Sequence, residues 1–235
     1  DPATGRTTFV QVLRYGDVSQ YTTSSVDAVA VSPDGRFVYT LERYDVSSEA
    51  TQTHIHTRDA ATGMLSLIGT LRLSGMSYEY SLTFSPDGHY LYAYGGRLAV
   101  LAVDGATGGL SLVQMKEGTR WLAADDLAVS PDGQFLYGAR DDEGIVVWQR
   151  GSDGQLTTVQ TIGPDAIDGE ALAHAAGVTL SPDVSRLYVS GTTGAVAVFS
   201  VDPASGTAAF VDEYVDAQDS LDLYGAGTMA LTPDG

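Results

Sequence analysis

The sequence predicts an all-β protein, a β-propeller built of four-stranded antiparallel blades, with four complete blades and a partial blade at each end. Two observations predict it: a tight-turn motif that returns every 45 to 53 residues, and a second turn motif interleaved with it. The first motif reads Ser32-Pro33-Asp34-Gly35, Ser85-Pro86-Asp87-Gly88, Ser130-Pro131-Asp132-Gly133, Ser181-Pro182-Asp183-Val184 and Thr232-Pro233-Asp234-Gly235. The second reads Asp1-Pro2-Ala3-Thr4-Gly5, Asp59-Ala60-Ala61-Thr62-Gly63, Asp104-Gly105-Ala106-Thr107-Gly108, Ser152-Asp153-Gly154 and Asp202-Pro203-Ala204-Ser205-Gly206. Units of about 40 to 50 residues carrying four strands each are the mark of radially repeated sheets.

Each element has a local reason. Proline presets φ, aspartate bonds the backbone two residues on, and glycine accepts the positive φ that closes a hairpin, so these aspartates are turn formers first. Between the turns lie β-branched and aromatic runs such as Ala28-Val29-Ala30-Val31, Arg36-Phe37-Val38-Tyr39, Ile145-Val146-Val147-Trp148 and Val196-Ala197-Val198-Phe199, which read as strands. Strand a of each unit is expected near 26–32, 79–85, 123–130, 175–181 and 227–232. Strand b follows the Pro-Asp turn, strand c precedes the second turn, and strand d follows it. The a strands are apolar but rich in Ala, Gly and Thr, as suits strands crowded at an axis and covered on both faces.

One domain, 1–235, is expected, with blades at about 22–70, 78–116, 122–161 and 174–212 and partial blades at 1–13 and 227–235. A ring closed with five blades would lack two strands of the fifth, a gap of roughly 14 Å at the usual strand spacing, with two unpaired edges. The chain is therefore expected to be a segment of a larger propeller, its remaining strands coming from the parent chain or another polypeptide.

Composition excludes several functions. With 30 acidic against 12 basic residues the formal charge is -18, which repels phosphate backbones and anionic lipid, so no nucleic-acid partner is expected. No apolar run reaches membrane-spanning length, so no membrane insertion is expected. Zero Cys removes disulfides and thiolate chemistry, and the absence of Asn removes N-glycosylation sites. No Gly-x-Ser-x-Gly elbow, His-Glu-x-x-His pair or P-loop is present.

The pattern apolar-Ser-Pro-Asp-Gly-Arg-Phe-Val-Tyr, followed by Val-Ala-Val-Phe-Ser-Val-Asp-Pro-Ala-Ser-Gly, resembles the lactonase-like (YVTN-type) β-propellers, which include 6-phosphogluconolactonase and muconate-cyclising relatives. The resemblance spans essentially the whole chain and implies a propeller. Members often carry a His five residues before the Ser of the Pro-Asp-Gly turn; the positions here hold Asp27, Tyr80, Asp125, Ala176 and Gly227.

Residues just before strand a point at the mouth of the central channel. Ligand-binding candidates are Asp27, Tyr80, Asp125 and Asp126, with Trp121 and His174 nearby: carboxylates for acid-base work or polar recognition, an indole for stacking. A solvated acidic rim is the plain alternative. The run from Asp212 through Glu213, Asp216 and Asp219 to Asp222 offers hard oxygen ligands for calcium, although its spacing is not that of an EF-hand and an acidic surface loop is the simpler reading. No other cofactor is expected. His54 and His56, two apart on strand c among alternating threonines, suit either a metal pair or an exposed strand face, and the exposed face is preferred.

Acidity, missing motifs and fragmentary ends favour a non-enzymatic binding module, secreted, periplasmic or on a bacterial surface, that displays its loop face to a protein or carbohydrate partner. A lactone hydrolase or cyclase using Asp27, Asp125 or His174 is the alternative, and a structural module joined by strand-edge pairing is a third reading.

Overall fold

The computed structural model describes residues 9–12, 25–45, 50–76, 79–95, 97–116, 126–140, 143–167, 171–215 and 229–232 of the chain. Among them sixteen strands form four antiparallel sheets of four. The first sheet holds β1 (Ser25–Val31), β2 (Phe37–Asp45), β3 (Ala50–Arg58) and β4 (Leu65–Ser74). The second holds β5 (Glu79–Phe84), β6 (Tyr90–Gly95), β7 (Leu98–Val103) and β8 (Leu110–Lys116). The third holds β9 (Asp126–Val129), β10 (Phe135–Arg140), β11 (Gly144–Arg150) and β12 (Leu156–Ile162). The fourth holds β13 (Ala175–Leu180), β14 (Arg186–Gly191), β15 (Ala195–Val201) and β16 (Ala208–Val215). Each sheet meanders in chain order, and β1, β5, β9 and β13 stand side by side, so the first strands share an axis while the fourth strands lie outermost. These are blades of a propeller, as the repeat predicts.

The Pro-Asp turn closes the same way four times. In the first copy Ser32 is buried and its hydroxyl donates to Asp34 Oδ1 at 2.6 Å, while Asp34 Oδ1 also accepts the Arg36 N–H and Ser32 Oγ accepts the Phe37 N–H. Ser130 with Asp132 and Ser181 with Asp183 repeat the serine-to-carboxylate bond at 2.6 Å. Several donors on one carboxylate favour its charged form. The bonds from Ser181 and Ser185 draw Asp183 down to about 2. Burial pushes Asp87 upward, but bonds from Arg150, Ser85 and the His89 N–H outweigh it and bring that carboxyl to about 2 as well.

An acid whose folded pKa is lowered contributes stability above its unfolded value, and that contribution is lost as pH falls through the folded value. The midpoint of thermal unfolding is therefore expected to fall as pH drops from the ordinary 3.8 towards about 2. Melts recorded across that window check it, and a midpoint that stays level would contradict these turns as the acid-labile element.

The blades are joined by two repeated devices. Phe37, Tyr90 and Phe135, each just after a Pro-Asp turn, lie against Gly108, Gly154 and Gly206 of the second turn in the next blade. The other device is a glutamine latch. Gln114 on β8 accepts the Leu156 N–H of β12 at 2.8 Å and donates to the Leu156 carbonyl at 3.4 Å; Gln160 on β12 does the same to Ala208 of β16, at 2.8 and 2.9 Å. In each outer strand the register shifts one residue before the latch position, and this bulge turns the glutamine toward the next blade. Gln11 makes the same pair of bonds to Leu65, which sets residues 9–12 beside β4 as β8 stands beside β12. Substituting Gln160 by Ala strands the N–H and carbonyl of buried Ala208, so a loss of about 1 to 3 kcal/mol is expected in denaturant unfolding.

Three apolar clusters fill the three seams. At the second seam Tyr92, Tyr94, Leu98 and Val100 of one blade meet Leu127, Leu136, Val146 and Trp148 of the next. Burial of each such large side chain is worth about 1.5 to 3 kcal/mol.

Two expectations are corrected at the first blade. The a strands were expected to be covered on both faces, but Val26, Val29 and Val31 of β1 are largely exposed. The preferred reading of His54 and His56 as an exposed strand face also fails: they are 6% and 0% exposed. His54 Nε2 meets Glu42 Oε2 at 2.6 Å and its Nδ1 meets Thr70 Oγ1 at 3.1 Å; His56 Nδ1 lies 3.1 Å from the Val38 carbonyl. Burial holds the His56 imidazole below its ordinary value, against the pull of the Val38 carbonyl. Alternation of polar and small residues predicts a solvated face for a sheet with one wet side, whereas blades are packed from both sides. In register, His54 and His56 occupy the places of Ala99 and Leu101, Val146 and Trp148, and Ala197 and Phe199 in the other blades.

Candidate active site

The inner strands β1, β5, β9 and β13 carry the candidates. A bulge sits at the start of three of them: the register shifts at Asp27 in β1, at Tyr80 in β5 and at Ala176 in β13. The extra residue is released from the ladder there, which frees its side chain from the alternation of the strand. Asp27 is half-buried at this point of β1. Tyr80 is placed on β5, but its side chain lies outside the described set, and Trp121 and Asp125 lie outside the described residues altogether.

Asp126 is the best-defined of the group. It opens β9, pairing with Ala139, one register later than the bulge residues of its neighbours. Its Oδ1 accepts the N–H of Leu127 at 2.9 Å, and its Oδ2 reaches across the seam to the Val178 N–H of β13 at 3.2 Å. Burial raises this carboxyl above the usual range, and the two backbone N–H groups work against that rise without cancelling it. A half-buried carboxyl with a raised pKa at a strand start holds a proton more readily than a surface Asp, and each oxygen keeps a lone pair for a water or substrate.

His174 is exposed just before β13, its carbonyl accepting the Thr192 N–H. Asp27, Asp126 and His174 thus stand at the inner ends of the first, third and fourth blades, on the side of the molecule where strands a begin.

The calcium candidates are divided. Asp212 and Glu213 lie on β16, while Asp216, Asp219 and Asp222 lie outside the described residues. Glu213 Oε1 accepts the Ala171 N–H at 2.7 Å, tying β16 to the segment before β13. Among the described residues no three His, Asp or Glu side chains converge as a metal site.

Sequence reasoning passed over Arg97, Lys116 and Arg140, which line a cavity between the second and third blades. Their signal was rarity: Lys116 is the chain's sole lysine, among only 12 basic residues.

Blades arrayed about an axis, with carboxyl groups at the inner strand ends, define a lactonase-like β-propeller. The family model of the SMP-30/Gluconolactonase/LRE-like region matches residues 41–235, and the chain belongs to this family. A solved candidate 6-phosphogluconolactonase from Bacteroides uniformis is 20% identical with a TM-score of 0.68, the match covering 82% of this chain and 55% of that one. One from Bacteroides fragilis is 21% identical with a TM-score of 0.66, covering 86% and 58%. A periplasmic gluconolactonase from Pseudomonas aeruginosa is 21% identical with a TM-score of 0.63, covering 81% and 54%. The chain thus spans a little over half the length of each, and at these identities the likeness speaks for the fold. No curated protein matches the sequence.

These findings overturn the expectation of a non-enzymatic binding module. The family match favours the lactonase alternative. The expectation rested on acidity, fragmentary ends and missing linear motifs, but a site assembled from single residues at separate strand ends leaves no such motif to find.

Proposed function

We propose that the chain belongs to a hydrolase of sugar-type lactones, with Asp126 as its acid-base residue at the channel mouth. The single observation carrying this reading is the half-buried Asp126 carboxyl, raised by burial and spanning the seam from β9 to Val178, in a chain of the gluconolactonase family. In the proposed step the Asp126 carboxylate takes a proton from water as the water oxygen attacks the lactone carbonyl carbon. The carbonyl–ring-oxygen bond then breaks, and the departing oxygen takes back the proton that Asp126 removed from water, giving the open-chain hydroxy acid and restoring the carboxylate. Asp27 and His174 are proposed to line the same mouth and bind the polyol.

Acid release from gluconolactone, followed at constant pH with the spontaneous rate subtracted, tests this. Turnover above background supports it; a rate equal to background over the whole pH range would remove it.

A periplasmic address is part of the proposal, supported by the periplasmic gluconolactonase among the similar structures. Recovery of the protein from the cytosolic fraction of its host alone would argue against that address.

A further inference from the structure

On the side of the molecule where strands a end, away from the axial mouth, a cleft of about 330 Å³ opens between the second and third blades. Asp87, His89 and Tyr90 line it from the Pro-Asp turn of the second blade, and Gln134, Arg150 and Ser152 line it from the third. The turns that carry them, 85–90, 130–135 and 150–156, lie wholly within the described residues.

The first seam shows how the same place is filled elsewhere in the molecule. There Arg36, two residues after Asp34, crosses to the second turn of the next blade and donates to the Gly105 and Ala106 carbonyls at 3.1 and 3.4 Å. The same guanidinium stands 3.7 Å from Asp34 and 5.0 Å from the Phe37 ring centroid. In the second seam the residue two after Asp87 is His89, whose shorter side chain makes no hydrogen bond among the described residues. The ion pair and the ring contact come instead from across the seam: Arg150 donates to Asp87 Oδ2 at 2.7 Å and lies 4.9 Å from the Tyr90 centroid. In the second and fourth blades that strand position holds Val103 and Val201. The second turn is shorter here as well. The Gly151 N–H bonds the Gln155 carbonyl four residues on, whereas Asp59, Asp104 and Asp202 bond Met64, Gly109 and Thr207 five residues on. A missing turn residue and an arginine drawn aside against Tyr90 leave the cleft open.

We propose that this cleft binds a neutral sugar, one pyranose unit held between the second and third blades on the side opposite the axial mouth. Asp87 and Arg150 neutralise one another at 2.7 Å, so an ion finds no uncompensated charge to pair with, although the chain as a whole carries -18. The remaining groups suit hydroxyls, which both donate and accept. Asp87 accepts, Arg150 donates, and the His89 imidazole, the Gln134 amide and the Ser152 hydroxyl can do either. Tyr90 adds an aromatic wall for the C–H groups of the ring. With about 30 Å³ as one water's share of liquid volume, the cleft has the space of roughly eleven waters, enough for a six-membered ring and its hydroxyls. Its occupant is a free monosaccharide or the end of a longer saccharide, which share this chemistry.

Backbone NMR spectra of the full chain, titrated with the methyl glycosides of glucose, galactose and mannose and, in a second arm, with the corresponding trisaccharides, test this. Saturable shifts of the His89, Gln134 and Ser152 amides are expected at millimolar concentrations of at least one glycoside. Affinity should fall about two- to tenfold in Gln134→Ala, the range of one hydrogen bond. It should be lost in His89→Arg, which returns to this seam the arginine that fills the first. Equal affinity in both arms assigns the cleft to a lone sugar, and tighter binding of a trisaccharide assigns it to the end of a chain. No saturable shift with any glycoside, shifts confined to the Leu127 and Val178 amides beside Asp126, or unchanged affinity in either variant would overturn the proposal. Binding is read without any lactone, so its failure leaves the hydrolase reading untouched, and the reverse also holds.

Discussion

Replacing Gly154 by alanine is expected to destabilise the protein by about 2 to 5 kcal/mol, the sum of backbone strain and overpacking. Gly154 closes the second turn of the third blade at φ +82°, a conformation that L side chains rarely adopt. A Cβ built there would also collide with the edge of the Tyr90 ring, which lies under the Arg150 guanidinium at 4.9 Å. Tyr90 has little freedom to retreat, because Arg150 is held in turn by Asp87 at 2.7 Å. Gly63 supplies the comparison. It occupies the equivalent turn of the first blade at φ +74°, yet among the described residues no atom lies within 4 Å of the point its Cβ would occupy. Gly63→Ala should therefore cost only the backbone part, about 1 kcal/mol. Denaturant midpoints for the two variants separate strain from packing, and equal losses would show that the aromatic-on-glycine contact contributes nothing.

Asp126→Asn is expected to lower lactone turnover about 100- to 10,000-fold, the usual contribution of a positioned general base, while the fold survives. Its stability effect has a definite sign. A carboxyl whose folded pKa is raised contributes stability below its unfolded pKa, and that contribution is lost as pH rises through the folded value. At neutral pH the ionised Asp126 thus works against folding. An amide carries no charge to desolvate and still offers an oxygen to the Val178 or Leu127 N–H. The variant should unfold at an equal or higher temperature than the parent at pH 7. Loss of turnover together with a lowered midpoint would mark Asp126 as a structural cap instead, and retained turnover would remove it from the chemistry.

The fold was legible because its information is local. Ser32, Pro33, Asp34 and Gly35 specify their turn through bonds spanning five residues, and the copies at Ser85, Ser130 and Ser181 repeat them. The site was legible only in part, because it depends on register and on neighbours. Whether Asp125 or Asp126 leads the third inner strand turns on a one-residue shift, and one residue reverses the side to which a strand's side chains point. Arg97, Lys116 and Arg140 come from three places in the chain and meet only when two blades pack. His54 and His56 were misjudged for a related reason. Nothing in a polar alternation says that Glu42, Thr70 and Val38 of the same sheet will close around it.

The Glu42, His54 and His56 surface sets the first blade apart. The other three blades present Leu, Ala, Val, Trp or Phe at the two imidazole positions. In the first blade His54 meets Glu42 of β2 and Thr70 of β4, and His56 meets the Val38 carbonyl of β2, so the buried imidazoles find these partners within their own sheet. Side chains there add a second set of cross-strand ties to the backbone ladder, where the other blades rely on apolar packing at the same places.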